Sequence, residues 1–342
     1  MKHPKAKKLP SGSWYCRIRV QGQDISITRP SEREAVAEAM AVKAGLRDAQ
    51  SMETAQRRNL TVSKAIDQYI ESRCNVLSPS TIRGYRNIQR HRFPRAMQLK
   101  ICEITQENWQ RIVNGEARVF SAKTVKNAWG LLSAVITETT GKKIVVRLPQ
   151  VVEKDLPYLS PEEITIFVEA IRGQPIEVPA LLALSSLRRS EILALRWESV
   201  DLKNGLVWVK GAAVEDEHNK MVYRQQNKNH RSRRAVPIIP PLQAVLEANE
   251  KPSGLVVPDG YPSKMYVGIN RICEANGLPK VGVHGLRRSF ASLAYHLGFS
   301  EEMTMRIGGW SNIYTMRRIY TKLSDKDITA QSTVFKDFFS SK

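Results

Sequence analysis

The sequence lacks the features that define several large classes of protein. Its 342 residues include only four cysteines, Cys16, Cys74, Cys102 and Cys273, with no C-x-x-C pair and no histidine at zinc-finger spacing. Neither a disulfide framework nor a zinc finger is expected, and such scattered thiols are typical of a reducing compartment. No run approaches the roughly 18 apolar residues of a membrane helix, and the charged N-terminus lacks the apolar stretch of a signal peptide. We expect a cytoplasmic protein.

Acidic residues are scarce relative to basic ones. The chain has 53 Lys and Arg against 33 Asp and Glu, a formal net charge of +20. Residues 1–150 hold 27 of the basic residues and 12 of the acidic ones, whereas the remainder holds 26 and 21. This surplus favours a polyanionic partner, and its position predicts that the first half of the chain binds nucleic acid. A generally basic soluble protein is the alternative.

Length and hydrophobic pattern predict a multidomain, mainly α-helical protein with three domains. The chain is too long for one ordinary core, and its 42% apolar content is enough for globular packing. Residues 1–55 alternate like two strands and then follow a helical pattern, which predicts a small α+β domain. Residues 60–147 predict a bundle of short helices. Residues 156–342 predict a mostly helical domain with a small antiparallel sheet.

Capping residues mark several of the expected helix starts. Ser31 precedes a helical pattern with Glu34 at the capping-box position, and Ser78 is followed by a proline at the first helical position. Ser121 opens another helix of the second domain. The strongest signal is the segment 160–163, Ser-Pro-Glu-Glu, which combines an N-cap, an N1 proline and a capping-box glutamate. Strands are predicted in the third domain at 206–210, 221–225 and 234–239.

Basic side chains are candidate DNA contacts in each domain. In the first domain they lie on a strand that suits a DNA groove, although a solvated charged strand fits these residues equally well. In the second domain they lie along helices, where phosphate contact competes with a simple solvated face. The candidates are Arg17, Arg19, Arg83, Arg86, Arg90, Lys123, Lys126 and Arg231.

Six side chains that are suited to catalysis follow one another along the last half of the chain. The set is Arg188, Lys228, His284, Arg287, Trp310 and Tyr320. Each alone would most often be a solvated or structural residue, and the basic run from Lys228 to Arg234 is typical of a wet loop. Together, two guanidiniums, two proton carriers and a phenol can break a phosphodiester without a metal. No carboxylate cluster with Mg²⁺ spacing stands near them, so no metal or other cofactor is expected.

The local sequence around these residues resembles the tyrosine recombinases, the phage integrase family. Residues 181–197 resemble the family's first catalytic box, residues 284–288 its second, and residues 307–320 the segment that carries its nucleophile. At motif level the resemblance covers residues 158–342, and several separate motifs appear in the family's order.

Three departures from the family pattern stand out. Ser186 replaces the usual glycine before the Leu-Arg pair, and Trp310 replaces a second histidine. The gap from Trp310 to Tyr320 is one residue longer than the usual nine. Tyr314 is the alternative nucleophile in this segment.

The resemblance implies a role for each matched residue in the cleavage step. Tyr320 attacks the scissile phosphorus and forms a 3′-phosphotyrosine link, while Arg188 and Arg287 stabilise the charge on the phosphate oxygens. Trp310 adds a neutral indole N–H donor. Glu191 lies one helical turn beyond Arg188 and orients either that guanidinium or His284.

Two further residues are the implied proton carriers. His284 is the candidate acceptor of the tyrosine proton, and Lys228 the candidate donor to the leaving 5′-oxygen. The function implied is site-specific DNA recombination, as in integration or excision of a mobile element. A type IB topoisomerase shares these residues, and a DNA-binding regulator without catalysis is the alternative from another class.

The resemblance also extends to partners. Residues 60–145 look like the family's core-binding domain and residues 1–55 like an arm-binding domain, so double-stranded DNA with crossover and arm sites is the expected substrate. A homotetramer on DNA and accessory factors that bend DNA or set direction are implied. We expect the apolar tail after Tyr320 to dock on a neighbouring subunit, with packing on its own domain as the alternative.

Overall fold

The structure is a computed structural model, and it describes residues 4–10, 12–20, 23–43, 60–152, 156–225, 234–258, 262–310, 312–314 and 339. The chain forms two compact units, Met1–Val152 and Glu153–Lys342. Helices dominate, and the strands form small antiparallel sheets. The predicted mainly α fold class is therefore confirmed.

The first unit begins with a three-stranded sheet. Strands β1 (Ala6–Lys8), β2 (Trp14–Val20) and β3 (Gln23–Arg29) pair antiparallel in that order, and helix α1 spans residues 32–43. Ser31 caps α1, since its Oγ accepts the Glu34 N–H at 3.3 Å. The sequence predicted β2, β3 and α1 but missed the short β1. The buried residues of this part are Cys16, Ile18, Ile27, Ala35 and Ala39.

The rest of the first unit is helical. Residues 60–152, all of them described, form the helices α2 (Val62–Glu71), α3 (Pro79–His91), α4 (Pro94–Met97), α5 (Gln106–Ala117) and α6 (Ala122–Thr140). The predicted caps Ser78 and Ser121 accept the N–H of the residue three positions on. Their core is a hydrophobic cluster separate from that of the sheet, and in it the rings of Trp109 and Trp129 meet edge-on, with centroids 5.6 Å apart.

The second unit combines helices with two small sheets. Its helices are α7 (Pro161–Ile171), α8 (Glu177–Leu184), α9 (Arg189–Ile192), α10 (Pro240–Glu247), α11 (Pro262–Ala275), α12 (Val283–His296) and α13 (Glu301–Gly308). Strands β4 (Val200–Asp201), β5 (Leu206–Val209) and β8 (Arg234–Pro237) form one sheet, and β6 (Gly211–Glu215) pairs with β7 (Met221–Gln225). The sequence predicted β5, β7 and β8. It missed β4, which has two residues, and β6, whose Gly-Ala-Ala start has low strand propensity.

Helix α8 lies at the centre of the core of the second unit. Every residue from Pro179 to Leu184 is buried, as expected for a helix that is apolar on all sides. It packs against α12, which carries Arg287. Because the chain leaves α8 directly into the Ser186–Arg188 segment, this packing brings the first and second sequence motifs together.

The capping box of α7 provides a test of local stability. Ser160 Oγ accepts the Glu163 N–H at 3.3 Å, and Glu163 Oε2 accepts the Ser160 N–H at 2.7 Å. We expect Ser160→Ala to lower the free energy of unfolding by about 1 kcal/mol, because the helix loses its N-cap acceptor. Denaturant unfolding followed by circular dichroism measures this change. Thr165→Ala removes an exposed hydroxyl from the same helix and should have little effect; an equal loss in both variants would contradict the assignment.

Candidate active site

The first motif begins at a turn with unusual backbone geometry. Ser186 is fully buried, and its φ of +82° lies in the left-handed region that favours glycine. Its Oγ donates to the Ile307 carbonyl at 3.1 Å. Its own carbonyl accepts from Arg234 Nη2 at 3.5 Å and from Arg287 Nη1. The serine therefore adds a hydrogen bond that a glycine at this position could not make.

Arg188 and Glu191 form a closed pair at the start of α9. The Arg188 backbone N–H donates to Glu191 Oε2 at 2.8 Å, and Arg188 Nη1 donates to Oε1 at 2.7 Å. Arg188 Nη2 donates to the Gly309 carbonyl at 2.5 Å. The Glu191 side chain is 1% exposed and that of Arg188 is 37% exposed. Of the two partners that the sequence left open for Glu191, the carboxylate binds Arg188.

A second arginine shares the same carboxylate. Arg234 donates from Nη1 to Glu191 Oε1 at 3.0 Å and from Nη2 to Oε2 at 2.8 Å, and its Nε donates to the Ile307 carbonyl at 2.7 Å. Its side chain is only 4% exposed. Sequence reasoning did not single out Arg234, because it stands in a basic run typical of a solvated loop. The available signal was the alternation of β8, in which Arg234 and Val236 share the buried face.

Arg287 reaches the same place from α12. It is 4% exposed, and it donates to the carbonyls of Ser186 and Gly308. Its Cζ lies 4.6 Å from the centroid of the Trp310 ring, within the range of a cation–π contact. We refer to Arg188, Glu191, Arg234 and Arg287 as the arginine cluster.

The two glycines before Trp310 allow this close packing. A Cβ on Gly308 would lie 2.0 Å from the Trp310 ring. Gly309 has a φ of +60°, and a Cβ there would lie 2.9 Å from Arg234 Nη1. The sequence predicts Trp310 as an indole N–H donor; the structure places one side of its ring near Arg287 and stacks it with Phe290 at a centroid distance of 6.3 Å.

The arginine cluster carries more positive than negative charge. Burial raises the pKa of the Glu191 carboxyl, but the hydrogen bond and charge of Arg234, followed by those of Arg188, outweigh it and lower the pKa to about 2. Burial and the charge of Arg188 lower the pKa of Arg287 to about 9. Glu191 and Arg287 are therefore both ionised at neutral pH. Several guanidiniums around one carboxylate favour the binding of an anion such as phosphate.

His284 lies on the first turn of α12, three residues before Arg287. The residue is only partly buried and keeps some solvent-exposed surface. Partial burial, together with the charges of Arg287, Arg288, Arg189 and Arg188, lowers the pKa of its imidazole from the ordinary value of 6.5. This shift favours the neutral ring at pH 7, which is the state required of a proton acceptor.

Three predicted residues fall outside the described part of the chain: Lys228, Arg231 and Tyr320. The first two belong to the segment between β7 and β8, and Tyr320 follows Trp310 by ten residues. Tyr314, the alternative nucleophile, is described and 73% exposed.

The other candidate DNA contacts lie in the first unit. Arg83 and Arg86 are half-buried on α3, and Arg86 forms an ion pair with Asp67 of α2. The guanidinium of Arg86 thus has a partner within the protein. The exposed candidates are Arg17 and Arg19 on β2, Arg90 on α3, and Lys123 and Lys126 on α6.

All four cysteines lie in the described part of the chain. All four cysteines are free thiols, with Cys16 and Cys273 buried and Cys74 and Cys102 exposed. Among the described residues, no group of three or more His, Cys, Asp or Glu could hold a metal ion. Within the same residues, every helix is too short or too polar to cross a bilayer.

Comparison with known proteins identifies the family. The model of the phage integrase family matches residues 157–327, half of the chain and the half that contains the arginine cluster. The chain belongs to the phage integrase family. The matched region also includes the positions of Lys228, His284, Trp310 and Tyr320.

Two curated members of the family are similar over part of their length. The integrase of Salmonella phage P22 is 24% identical over 214 residues, which cover 58% of this chain and 52% of that protein. A XerC-like tyrosine recombinase of Caldanaerobacter subterraneus subsp. tengcongensis is 26% identical over 232 residues, covering 58% of this chain and 59% of that protein. The chain thus spans only about half to three fifths of the length of these relatives.

Solved integrase structures share the fold. The Tn1549 transposon integrase in complex with circular intermediate DNA has a TM-score of 0.62 at 18% identity, covering 76% of this chain and 94% of that one. A lambda integrase dimer bound to a COC′ core site has a TM-score of 0.57 at 15% identity, covering 92% and 94%. At these identities, the similarity shows the fold of the family members alone.

The Ser186 turn yields a stability prediction. Ser186→Gly relieves the left-handed backbone but loses the hydrogen bond to Ile307, so its free energy of unfolding should stay within about 1 kcal/mol of the parent. Ser186→Ala loses the same bond and keeps the unfavourable conformation, so it should be about 1–2 kcal/mol less stable than Ser186→Gly. Urea unfolding measures the order. If alanine proved as stable as glycine, the left-handed turn would not be present in solution.

The environment of His284 yields a pH prediction. We expect its imidazole to titrate below 6.5 in NMR spectra, with the resonance assigned by its loss in His284→Asn. Because the unfolded chain then takes up the proton first, this histidine favours folding above pH 6.5, and the contribution is lost as the pH falls through the lower folded pKa.

A variant pair separates the two causes of this shift. Arg288→Gln should raise the His284 pKa without restoring it to 6.5, since burial remains. Arg172→Gln, which alters an arginine paired with Glu169 on α7, should leave it unchanged. A His284 midpoint at or above 6.5 in the parent protein would show that the imidazole is not in this cationic environment.

Proposed function

We propose that this chain is a site-specific DNA recombinase that exchanges strands through a 3′-phosphotyrosine link, as in integration or excision of a mobile element. The main support is the arginine cluster. Arg188 and Arg287 hold the adjacent carbonyls of Gly309 and Gly308, and this turn leads in ten residues to Tyr320. The cluster therefore binds the beginning of the motif 307–320, in which the proposed nucleophile comes last in the sequence.

In the proposed reaction Tyr320 Oη attacks the scissile phosphorus. The new P–Oη bond replaces the P–O5′ bond, so the phosphorus remains part of a diester. The energy of the broken bond is kept in the new one, and no nucleotide cofactor is consumed. His284, neutral at pH 7, accepts the tyrosine proton, and Lys228 protonates the departing 5′-oxygen. Attack by the 5′-hydroxyl of another strand reverses these steps and joins that strand.

The arginines stabilise the charge that develops on the non-bridging oxygens. Each guanidinium has five N–H donors, and the contacts described above occupy two in the side chain of Arg188 and two in that of Arg287. Donors therefore remain on both groups for a phosphate. Loss of one preorganised donor of this kind typically costs about 10²–10³ in rate.

The other regions are proposed to bind double-stranded DNA. Residues 1–55 would be the arm-binding domain, residues 60–147 the core-binding domain and residues 156–342 the catalytic domain. Support comes from the two separate hydrophobic clusters of the first unit and from a family match confined to residues 157–327. Three linked modules would gain avidity on one DNA molecule. A homotetramer on DNA, acting in the cytoplasm with accessory factors that bend DNA or set direction, completes the proposal.

Covalent trapping tests the proposed function. The protein is incubated with nicked duplexes that were selected from a randomised pool for binding to it. Cleavage near the nick releases a short fragment whose 5′-hydroxyl diffuses away, so the phosphotyrosine cannot be reversed. We expect a protein–DNA adduct that survives denaturation. Tyr320→Phe should abolish the adduct and leave DNA binding intact, because only the nucleophilic oxygen is removed.

Tyr314→Phe is the matched control and should form the adduct at the parent rate. An adduct that survives in Tyr320→Phe but is lost in Tyr314→Phe would move the nucleophile. An adduct with DNA relaxation but no joining of two partner duplexes would indicate a topoisomerase. Bound DNA with no adduct in the parent protein would indicate a DNA-binding regulator.

A further inference from the structure

Arg234 is a buried cation outside the set of residues used in the proposed chemistry. An unpaired buried charge is strongly unfavourable, and here its side chain, 4% exposed, is compensated by both oxygens of Glu191 and by two carbonyls. Its backbone is fixed in the sheet, where Arg234 pairs with Val209 of β5. Arg234 is thus a directed group on a rigid element.

The contacts of Arg234 join three segments of the candidate site. Glu191 belongs to α9, Ser186 to the turn after α8, and Ile307 to the end of α13. Gly309 passes so close to this guanidinium that a Cβ would lie 2.9 Å from Nη1. The Arg234 side chain therefore helps to hold all three segments in position.

Arg188 depends on Arg234 through the shared carboxylate. Oε1 of Glu191 accepts from a guanidinium nitrogen of each arginine, and Oε2 accepts from the Arg188 backbone N–H and from Arg234 Nη2. Rotation of the carboxylate away from Arg188 would break the fork with Arg234. Arg188 also donates to Gly309, in the turn that packs over Arg234.

We infer that Arg234 is a positioning residue for strand cleavage: through Glu191 and the Ile307 carbonyl it fixes Arg188 and the Gly308–Trp310 turn in one arrangement. This inference rests on the proposed recombinase function. A lysine cannot replace the arginine, since a single ammonium cannot reproduce three directed bonds from a planar fork. Arg234 itself need not touch the DNA.

The same contacts predict an electrostatic signature. Glu191 faces Arg188 on its own helix, Arg234 from β8 and Arg287 from α12, and it borders a cleft lined also by Arg196, Lys210 and Arg224. Arg234 is the largest of the influences that lower the Glu191 pKa. Without it, burial is opposed by fewer charges, so the pKa rises and protonation at mildly acidic pH releases Arg188.

The experiment compares Arg234→Met and Arg234→Lys with the full-length parent, with Arg172→Met as a control that removes an exposed paired arginine. Adduct formation on the nicked duplexes should slow about 100-fold in both Arg234 variants, the typical effect of a small misplacement of catalytic groups, with DNA affinity unchanged. In Arg234→Met the cleavage rate should also begin to fall at a higher pH than in the parent as the solution is made more acidic. Arg234→Lys should keep the parent pH dependence, and Arg172→Met should match the parent in both respects.

A second measurement is independent of activity. ¹³C NMR titration of the Glu191 carboxyl, assigned by its loss in Glu191→Gln, should show a higher pKa in Arg234→Met and a low one in Arg234→Lys. If the parent forms no adduct, the proposed function fails while the titration still tests the contact. Full-rate cleavage by Arg234→Lys would overturn positioning in favour of charge alone. If Arg234→Met does not fold, the cleavage rate of Arg234→Lys tests the inference. A loss of rate in Arg234→Lys that is matched by an equal loss of folded protein would show that Arg234 has a structural role only.

Discussion

The candidate site depends on one buried carboxylate shared by two guanidiniums. Glu191 is almost completely enclosed, and a charge in that position is tolerated only with excellent pairing. Arg188 and Arg234 supply it from opposite ends of a long stretch of sequence, which ties α9 to β8. Arg234 also donates to the Ile307 carbonyl at the end of α13, so the contacts of this carboxylate extend to the start of the third motif. Pairing the buried Glu191 carboxylate with both arginines therefore determines much of the geometry of the site.

Backbone carbonyls also accept hydrogen bonds from the arginines of the cluster. The Gly309 carbonyl accepts from Arg188, that of Ile307 from Arg234 and that of Gly308 from Arg287, while the Ser186 carbonyl accepts from both Arg234 and Arg287. The chain turns sharply at two of these places, with a positive φ at Ser186 and at Gly309. Buried cations that are hydrogen-bonded in this way lose fewer interactions on leaving water. The fold thus orients the arginines with polar groups that carry no net charge.

The sequence was informative where the signal is local. The caps at Ser78, Ser121 and Ser160 were readable because a capping residue and its helix are neighbours in the chain. The motif residues were recognised as contiguous boxes. Arg234 was not, because its partner Glu191 is 43 residues away, and a basic run gives no indication of which member turns inward. Serine itself does not indicate the left-handed backbone at Ser186; the one signal in the sequence is that the resembled family usually has a glycine at this position.

The electrostatics of the arginine cluster explain why the folded protein favours the binding of an anion there. Burial, and after it the charge of Arg188, lowers the pKa of Arg287 to about 9, so its charged form is disfavoured by lost hydration and by repulsion. A bound phosphate would relieve that repulsion and, by linkage, raise the pKa of Arg287 again. A pentavalent transition state concentrates more charge on its non-bridging oxygens than the starting diester does, so the relief is greater there. In the proposed cleavage step, this greater relief would contribute to differential stabilisation of the transition state.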